Sequence, residues 1–258
     1  SSEVTKMNET LKDFYKRISL FLVGFLGMYV VIIAIQLLNG LNILFKTFDI
    51  PLLVNRVNFF ANYSVMLNYA VYITTFLIIL FILGEKIFRK IILEFKISQN
   101  IKDGIVFGII LVTSTVLYNN FIRIIFPNVT ENQNEESVRS IIGLNPLLSA
   151  FVIAIIGPVV EEFTYRFGLF GSIRKKSRVL AYLATIIIFA LIHFNFANES
   201  MSQWINELLN LPGYMLAAFI LSYAYDRNQN LSVSIIAHVF NNGFSVLMTL
   251  LLTILPEA

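Results

Sequence analysis

Long apolar runs without charged residues are the feature that most limits what this chain can fold into. A helix of about 20 residues crosses roughly 30 Å of hydrocarbon, so a long apolar run indicates a membrane-spanning helix. Charged residues make up only 14% of the 258 residues, against about 25% in soluble domains. The sequence therefore predicts an all-α, polytopic membrane helical bundle of about seven transmembrane helices. The seven candidate spans are Ile18–Leu38, Val65–Gly84, Gly104–Phe126, Pro146–Phe170, Leu180–Phe196, Leu208–Tyr225 and Leu231–Leu255.

Basic residues are distributed unevenly between the segments that separate these spans. The first, third, fifth and seventh segments carry 14 Lys and Arg residues, and the other four carry 3. Because Lys and Arg stay on the cytoplasmic side of a membrane, we expect the N-terminus inside, seven crossings and the C-terminus outside. Residues 42–62 are interpreted as a loop or an interfacial helix. The net charge of +3 is small, and no nucleic-acid partner is expected.

Few ionisable residues lie within the spans, and such residues are costly in a membrane and usually functional. Residues four apart share one face of a helix, so Glu162 and Arg166 can pair, whereas Glu161 points about 100° away. We interpret Glu162–Arg166 as a structural clamp and Glu161 as the carboxylate of a site. A single buried structural network of all three residues is the alternative. Besides Arg123 near a helix end, the ionisable residues are Glu161, Glu162, Arg166, His193 and His238.

The two histidines each lie in an apolar run and share a helix face with another motif residue. His193 comes four residues after Phe189, and His238 comes four residues before Asn242. Counted from the nearest cytoplasmic charges at about 1.5 Å per residue, Glu161 and both histidines lie about 16–22 Å deep. This common depth predicts one cluster. The alternative is that the His and Asn side chains only form hydrogen bonds between membrane helices.

A carboxylate and an imidazole that face one buried cavity can activate water. A second histidine and an amide can donate hydrogen bonds to a developing oxyanion, so these groups together suit hydrolysis of an amide bond. The sequence contains no cysteine and no serine in a nucleophile-elbow pattern, so a covalent nucleophile is not indicated. Two alternatives stay open. One is a zinc site formed by Glu161, His193 and His238, although an HExxH helix is absent; the other is a proton relay in a transporter.

In this order the three motifs resemble those of the CPBP family, which comprises CAAX proteases and bacteriocin-processing enzymes and is also called Abi-type or type II CAAX endopeptidases. The motifs are EExxxR at residues 161–166, FxxxH at 189–193 and HxxxN at 238–242. The resemblance covers roughly Leu147 to Leu250. It implies a catalytic core at residues 141–258 around a conical intramembrane cavity, and residues 1–140 form the preceding transmembrane helices and loops of the same membrane domain.

The resemblance also implies roles for four catalytic residues. Glu161 and His193 would position the attacking water, and His238 and Asn242 would hold the oxyanion. No cofactor is favoured. A metal-free mechanism is preferred over zinc because Asn242 is a poor zinc ligand and a natural oxyanion donor.

Three further motif residues, Glu162, Arg166 and Phe189, would support the catalytic groups. For the whole chain, the resemblance implies an intramembrane endopeptidase in the lipid bilayer of a bacterial cell membrane, acting on a membrane-associated peptide or protein. Peptide maturation, bacteriocin self-immunity and cell-envelope regulation are the roles that it suggests. The alternative is a non-catalytic membrane scaffold or bacteriocin self-immunity protein of the same family that binds a cell-envelope partner.

Overall fold

The computed structural model describes residues 2–48, 64–130, 135, 138–139, 142, 146–196, 198 and 200–254. These residues are predominantly helical and contain no strand, which confirms the predicted all-α fold. Much of the loop or interfacial helix predicted at residues 42–62, and the C-terminal residues 255–258, lie outside this part. The helices are α1 (Ser2–Thr47), α2 (Ser64–Glu94), α3 (Ser98–Ile125), α4 (Pro146–Arg174), α5 (Arg178–Ile192), α6 (Met201–Asn228) and α7 (Leu231–Ile254).

The number of spans differs from the predicted seven. Among the described residues, five helices are long and apolar enough to cross a membrane, namely α2, α3, α4, α6 and α7. The predicted span Leu180–Phe196 is instead α5, which has 15 residues and is shorter than the about 20 that a crossing needs. The predicted span Ile18–Leu38 lies within α1, and many of its side chains are outside the described part. The described residues therefore form a multi-pass membrane protein with about five candidate spans, not the predicted seven.

Helix α4 is the centre of the bundle. In its most apolar stretch of 18 residues, 56% of the residues are buried, against 17–28% in the corresponding stretches of the other four spans. Two of its stretches, Val152–Ile156 and Glu162–Phe170, are π-helical, so each N–H bonds to the carbonyl five residues earlier. Every residue of the second stretch is buried. π turns are frequent at functional sites, and the second stretch contains Glu162 and Arg166 of the acidic motif.

Helix α1 packs closely against the second π-helical stretch of α4. A Cβ atom on Gly24 would lie 1.7 Å from Thr164 Oγ1, so glycine is required at this crossing. Arg17 Nη1 donates a hydrogen bond to the carbonyl oxygen of Phe167 at 2.9 Å, and the guanidinium carbon lies 4.2 Å from the centre of the Phe167 ring. Helix α1 therefore supports the backbone that carries the acidic motif.

Helices α3 and α7 also approach each other through glycines. A Cβ atom on Gly104 would lie 2.6 Å from Ile236 Cβ, and one on Gly108 would lie 2.8 Å from Phe240 Cβ. Helix α6 packs against α3, α5 and α7. A cavity lies among α3, α4, α6 and α7, and the end of α5 reaches it.

Local capping interactions determine where α5 and α6 begin. Ser177 Oγ accepts a hydrogen bond from the Leu180 N–H at 3.2 Å. Ser200 and Gln203 form a capping box, in which each side chain accepts a hydrogen bond from the backbone N–H of the other residue, a common signal for a helix start. The capping box at Ser200 therefore marks the end of the connection that leads from His193 to α6.

Candidate active site

The acidic motif lies at a junction within α4. Glu161 is the last residue of the α-helical stretch Gly157–Glu161, and Glu162 is the first residue of the π-helical stretch. Glu162 and Arg166 are fully buried, whereas Glu161 is 9% exposed and lines the cavity. The two neighbouring carboxylates therefore have different surroundings, since protein encloses Glu162 and Glu161 faces the cavity.

The carboxylate of Glu162 binds two groups from different helices. Its Oε1 lies 3.0 Å from Arg166 Nη1 and accepts a hydrogen bond from His238 Nδ1–H at 2.8 Å. The guanidinium carbon of Arg166 also lies 4.5 Å from the centre of the Phe189 ring, which is a cation–π contact. Because an ionised carboxylate only accepts hydrogen bonds, Glu162 places the proton of His238 on Nδ1 and orients its ring.

This orientation turns the second ring nitrogen of His238 toward Glu161. His238 Nε2 lies 3.7 Å from Glu161 Oε2, which is longer than a direct hydrogen bond. A third polar atom beside the pair, such as the oxygen of a water or of a substrate, can contact both groups. The pair of Glu161 and His238 is therefore placed to act together on one reacting group.

His193 is the residue that follows the last turn of α5. Its Nδ1–H donates a hydrogen bond to the carbonyl oxygen of Phe189 at 2.8 Å, since a carbonyl can only accept. In the neutral ring the acceptor lone pair is then on Nε2. The imidazole is enclosed by aromatic rings: the ring centre of Phe189 is 4.8 Å away, and Tyr214 stacks on it at 4.6 Å with an angle of 18° between the planes.

The amide of Asn242 connects α7 to the first π-helical stretch of α4. Asn242 Nδ2 donates a hydrogen bond to the carbonyl oxygen of Ile153 at 3.2 Å, and Asn242 Oδ1 accepts one from Asn241 Nδ2 at 3.2 Å. An amide NH₂ group has two N–H donors. One bond to Ile153 therefore leaves Asn242 the capacity to donate to a further acceptor in the cavity.

The four side chains predicted to be catalytic line one cavity of about 360 Å³. This volume is at the lower end of the range of about 300–1,000 Å³ that is usual for small-molecule sites. Phe189 also lines the cavity, whereas Glu162 and Arg166 lie behind its wall. The structure thus brings together the residues Glu161, His193, His238 and Asn242 from α4, α7 and the end of α5.

The residues named for zinc do not form a metal site in this arrangement. Across the described part of the chain, no group of three or more His, Cys, Asp or Glu side chains is placed to hold one metal ion. Glu161, His193 and His238 are therefore not gathered into a group of metal ligands in the described part of the structure.

Two residues of α6 complete the surroundings of His193, and no motif indicated them. Tyr214 stacks on the imidazole, and its hydroxyl donates a hydrogen bond to Glu135 Oε1 at 3.2 Å. The buried carboxylate of Glu207 accepts a hydrogen bond from the backbone N–H of Asn195 at 3.1 Å. Glu207 falls one residue before the predicted span Leu208–Tyr225, so it was not among the ionisable residues predicted within spans. The capping box formed by Ser200 and Gln203 is the sequence signal that α6 begins earlier, at Met201.

Comparison with known proteins places these motifs in one family. Residues 143–244 match the family model described as type II CAAX prenyl endopeptidase Rce1-like. The membrane-embedded CAAX protease MroQ of Staphylococcus aureus (strain USA300) is 28% identical over 170 residues, which cover 62% of this chain and 64% of MroQ. YdiL of Bacillus subtilis (strain 168) is 29% identical over 121 residues, which cover 46% of this chain and 44% of YdiL. The UPF0177 protein YxdF of Lactococcus lactis subsp. lactis (strain IL1403) is 30% identical over 112 residues, which cover 43% of this chain and 56% of YxdF.

The aligned regions cover less than two thirds of the length of each of these three relatives. No solved structure matches the chain. The region matched by the family model contains all three motifs, since it begins before Glu161 and ends after Asn242. The match over residues 143–244 to the model described as type II CAAX prenyl endopeptidase Rce1-like confirms the family resemblance carried by the three motifs.

Proposed function

We propose that the chain is an intramembrane endopeptidase that hydrolyses a peptide bond in a membrane-associated peptide or protein. The observation that carries this proposal is that Glu161 Oε2 lies 3.7 Å from His238 Nε2 at a cavity that His193 also lines. Ionisable groups inside membrane spans are costly. Their convergence on one cavity therefore favours catalysis over a role in packing alone.

The reaction begins with the attack of a water molecule on the carbonyl carbon of the scissile peptide bond. Glu161 accepts a proton from this water, and His193 Nε2 accepts a hydrogen bond from it and so fixes its direction. A C–O bond forms, and the carbonyl oxygen becomes an oxyanion. The C–N bond then breaks, and the nitrogen takes the proton from Glu161 and leaves as an amine. One water is thereby added across one peptide bond.

His238 and Asn242 are proposed to stabilise the oxyanion. The amide of Asn242 can donate without a change of protonation. His238 gives its Nδ1–H to Glu162, so donation from Nε2 requires the doubly protonated imidazolium. In known oxyanion holes, loss of one donor lowers kcat by about 10²–10³.

Glu162 and Arg166 are proposed to support this site without touching the substrate. Their ion pair is fully buried behind the cavity wall. Glu162 orients His238, and Arg166 pairs with Glu162 and lies against Phe189. The support therefore links the helices that supply the catalytic groups.

The proposed setting is the lipid bilayer of a bacterial cell membrane. Large apolar side chains on the outer faces of the spans are exposed, including Phe81 at 87% and Leu117 at 64%. In water such a surface is unfavourable, whereas acyl chains cover it at no cost. The substrate is accordingly proposed to be held at the membrane, where it reaches the cavity between the spans.

The substitution Glu161→Gln tests the proposal, because it keeps the shape of the side chain and removes the proton acceptor. Cells that produce equal membrane levels of wild-type protein or variant are compared by quantitative proteomics of membrane-derived peptides. We expect the Glu161→Gln variant to yield at least about 100-fold less product. The matched control is Glu85→Gln on the outside of α2, where the carboxylate pairs only with Arg89; it should leave the products unchanged.

The same comparison separates the protease from the non-catalytic scaffold or immunity protein. Equal product levels from wild type and Glu161→Gln would show that the chain is not a hydrolase. A cellular phenotype that persists in the Glu161→Gln variant would then favour the scaffold.

A further inference from the structure

We propose that Tyr214 is a positioning residue that holds the imidazole of His193 in its working orientation. This inference rests on the proposed function for its effect on catalysis, but the orientation itself can be measured without activity. Tyr214 is on α6, outside all three motifs, and it lines the cavity next to His193.

Two of the contacts of His193 restrain its imidazole in different directions. The hydrogen bond from Nδ1–H to the Phe189 carbonyl oxygen restrains one ring nitrogen. The nearly parallel ring of Tyr214, 18° from the imidazole plane with 4.6 Å between ring centres, restrains the plane of the ring.

The ring of Tyr214 is itself fixed at both ends. Its backbone belongs to α6, and its hydroxyl donates a hydrogen bond to Glu135 Oε1 at 3.2 Å. A stacked ring that could turn about its own side-chain bonds would not define a plane for its neighbour. The contact with Glu135 thus makes the stack a rigid restraint, and it connects the segment before α4 to His193.

The connection after His193 is held independently of the stack. The buried carboxylate of Glu207 accepts a hydrogen bond from the backbone N–H of Asn195 at 3.1 Å. This bond fixes the backbone two residues after His193 and does not involve the imidazole. The loss of Tyr214 is therefore expected to change the direction of the imidazole without displacing the backbone.

The chain contains only two histidines, so histidine-selective ¹⁵N and ¹³C labelling of the full chain in detergent gives two sets of ring signals. The variant His193→Gln assigns them by loss of one set. In Tyr214→Leu the loss of the tyrosine ring current moves the His193 ring-proton resonances whether or not the imidazole turns. Its orientation is therefore measured by the nuclear Overhauser effects between its ring protons and the ring of Phe189, whose centre is 4.8 Å away. These effects should weaken in Tyr214→Leu, while the His238 signals stay in place, and Tyr214→Phe should show a smaller change.

The control is Tyr223→Leu, which removes a tyrosine of the same helix that stacks on Phe219 and does not line the cavity. It should leave both histidine signals unchanged. A Tyr214→Leu protein that retains the wild-type His238 signals is folded at the site, and unchanged Overhauser effects between His193 and Phe189 in that protein would overturn the inference. Loss of the His238 signals as well would also overturn it, since Tyr214 would then support the whole fold.

Activity gives the second readout once a cleaved peptide is known. Tyr214→Leu should lower kcat at least about tenfold and change KM by less than about threefold, because a misdirected base acts on the transition state rather than on substrate binding. Tyr214→Phe, which keeps the stacked ring but loses the hydrogen bond to Glu135, should recover part of the rate. Weakened Overhauser effects between His193 and Phe189 together with an unchanged kcat would reject the proposed role of His193 in water activation, while the positioning by Tyr214 would stand.

Discussion

The carboxylate of Glu162 connects side chains from three helices although it does not line the cavity. It pairs with Arg166 of its own helix and orients His238 of α7. Through Arg166 it also reaches Phe189 of α5. A charge in this position is stable only while its partners are present, because the interior cannot solvate it.

The substitution Arg166→Leu should therefore destabilise the protein strongly. Removing one partner of a buried ion pair leaves an uncompensated charge and typically costs about 3–5 kcal/mol. The matched control is Arg89→Leu, which breaks another Arg–Glu pair four residues apart that is largely exposed and contributes about 0–1 kcal/mol. Thermal unfolding in detergent measures both. Equal losses of stability would contradict a special role for the buried pair.

Spacing along a helix predicted part of the site and could not predict the rest. The four-residue spacing placed Glu162 and Arg166 on one face, and the ion pair at 3.0 Å has that geometry. The hydrogen bond between His238 and Glu162 joins residues 76 positions apart. Local periodicity carries no information about such a pair, so the sequence could propose a common depth but not which nitrogen faces which carboxylate.

At the scale of the elements, the π-helical stretch of α4 could not be predicted from its composition. An apolar run indicates a helix but not the number of residues per turn. The wider turn is accommodated because α1 lies directly against it, with Gly24 at Thr164 and Arg17 bonded to the Phe167 carbonyl. The conformation of the acidic motif thus depends on residues of α1 that lie 140 to 150 positions earlier in the chain.

A methyl group at the contact of α1 and α4, introduced by Gly24→Ala, should lower the stability of the protein. The Cβ of Gly24→Ala would lie 1.7 Å from Thr164 Oγ1, which is already bonded to the Val160 carbonyl. Overpacking of this kind costs about 1–3 kcal/mol. Gly243→Ala in α7 is the control, since its Cβ meets no atom within 4 Å and alanine favours a helix by about 0.8–1 kcal/mol. Thermal unfolding should show opposite signs for the two variants, and equal effects would rule out the close contact.

The N-terminal part of α1 gives a pH-dependent contribution to stability. Asp13 lies before the first predicted span, and its Oδ2 is 2.7 Å from Lys175 Nζ and 3.0 Å from Arg17 Nε. Burial raises the pKa of Asp13, but the hydrogen bonds from Lys175 and Arg17 outweigh this effect and hold the pKa below its usual range. A carboxylate whose pKa is lowered by folding stabilises the protein above its unfolded pKa, and this stabilisation is lost as the pH falls.

The variant Asp13→Asn should accordingly have a lower Tm than the wild type at pH 7. The difference should shrink as the pH decreases below about 4, where the unfolded carboxyl is protonated. Thermal unfolding across this pH range provides the measurement. A difference in Tm that is independent of pH would show that the ion pairs of Asp13 do not cause it.

At the scale of the whole molecule, composition determined the class of protein, and the number of crossings required the structure. Apolar runs were sufficient to identify a helical membrane bundle. They overestimated the number of spans, because the apolar run at Leu180–Phe196 continues beyond Ile192, where α5 ends. His193, which follows the last turn of α5, lines the cavity. Hydropathy averages over a window and does not detect such an end.

The orientation in the membrane is the property of the whole molecule that charge alone predicts. Helix α3 has Lys102 near its start and Asn128 just after its end, and both are exposed. Because basic residues stay in the cytoplasm, Lys102 should face inside and Asn128 outside. The chain has no cysteine, so Lys102→Cys and Asn128→Cys each introduce a single thiol. A membrane-impermeant maleimide should label Asn128→Cys in intact cells and Lys102→Cys only after permeabilisation. The reverse pattern would invert the orientation, because the two positions lie at opposite ends of one candidate membrane span.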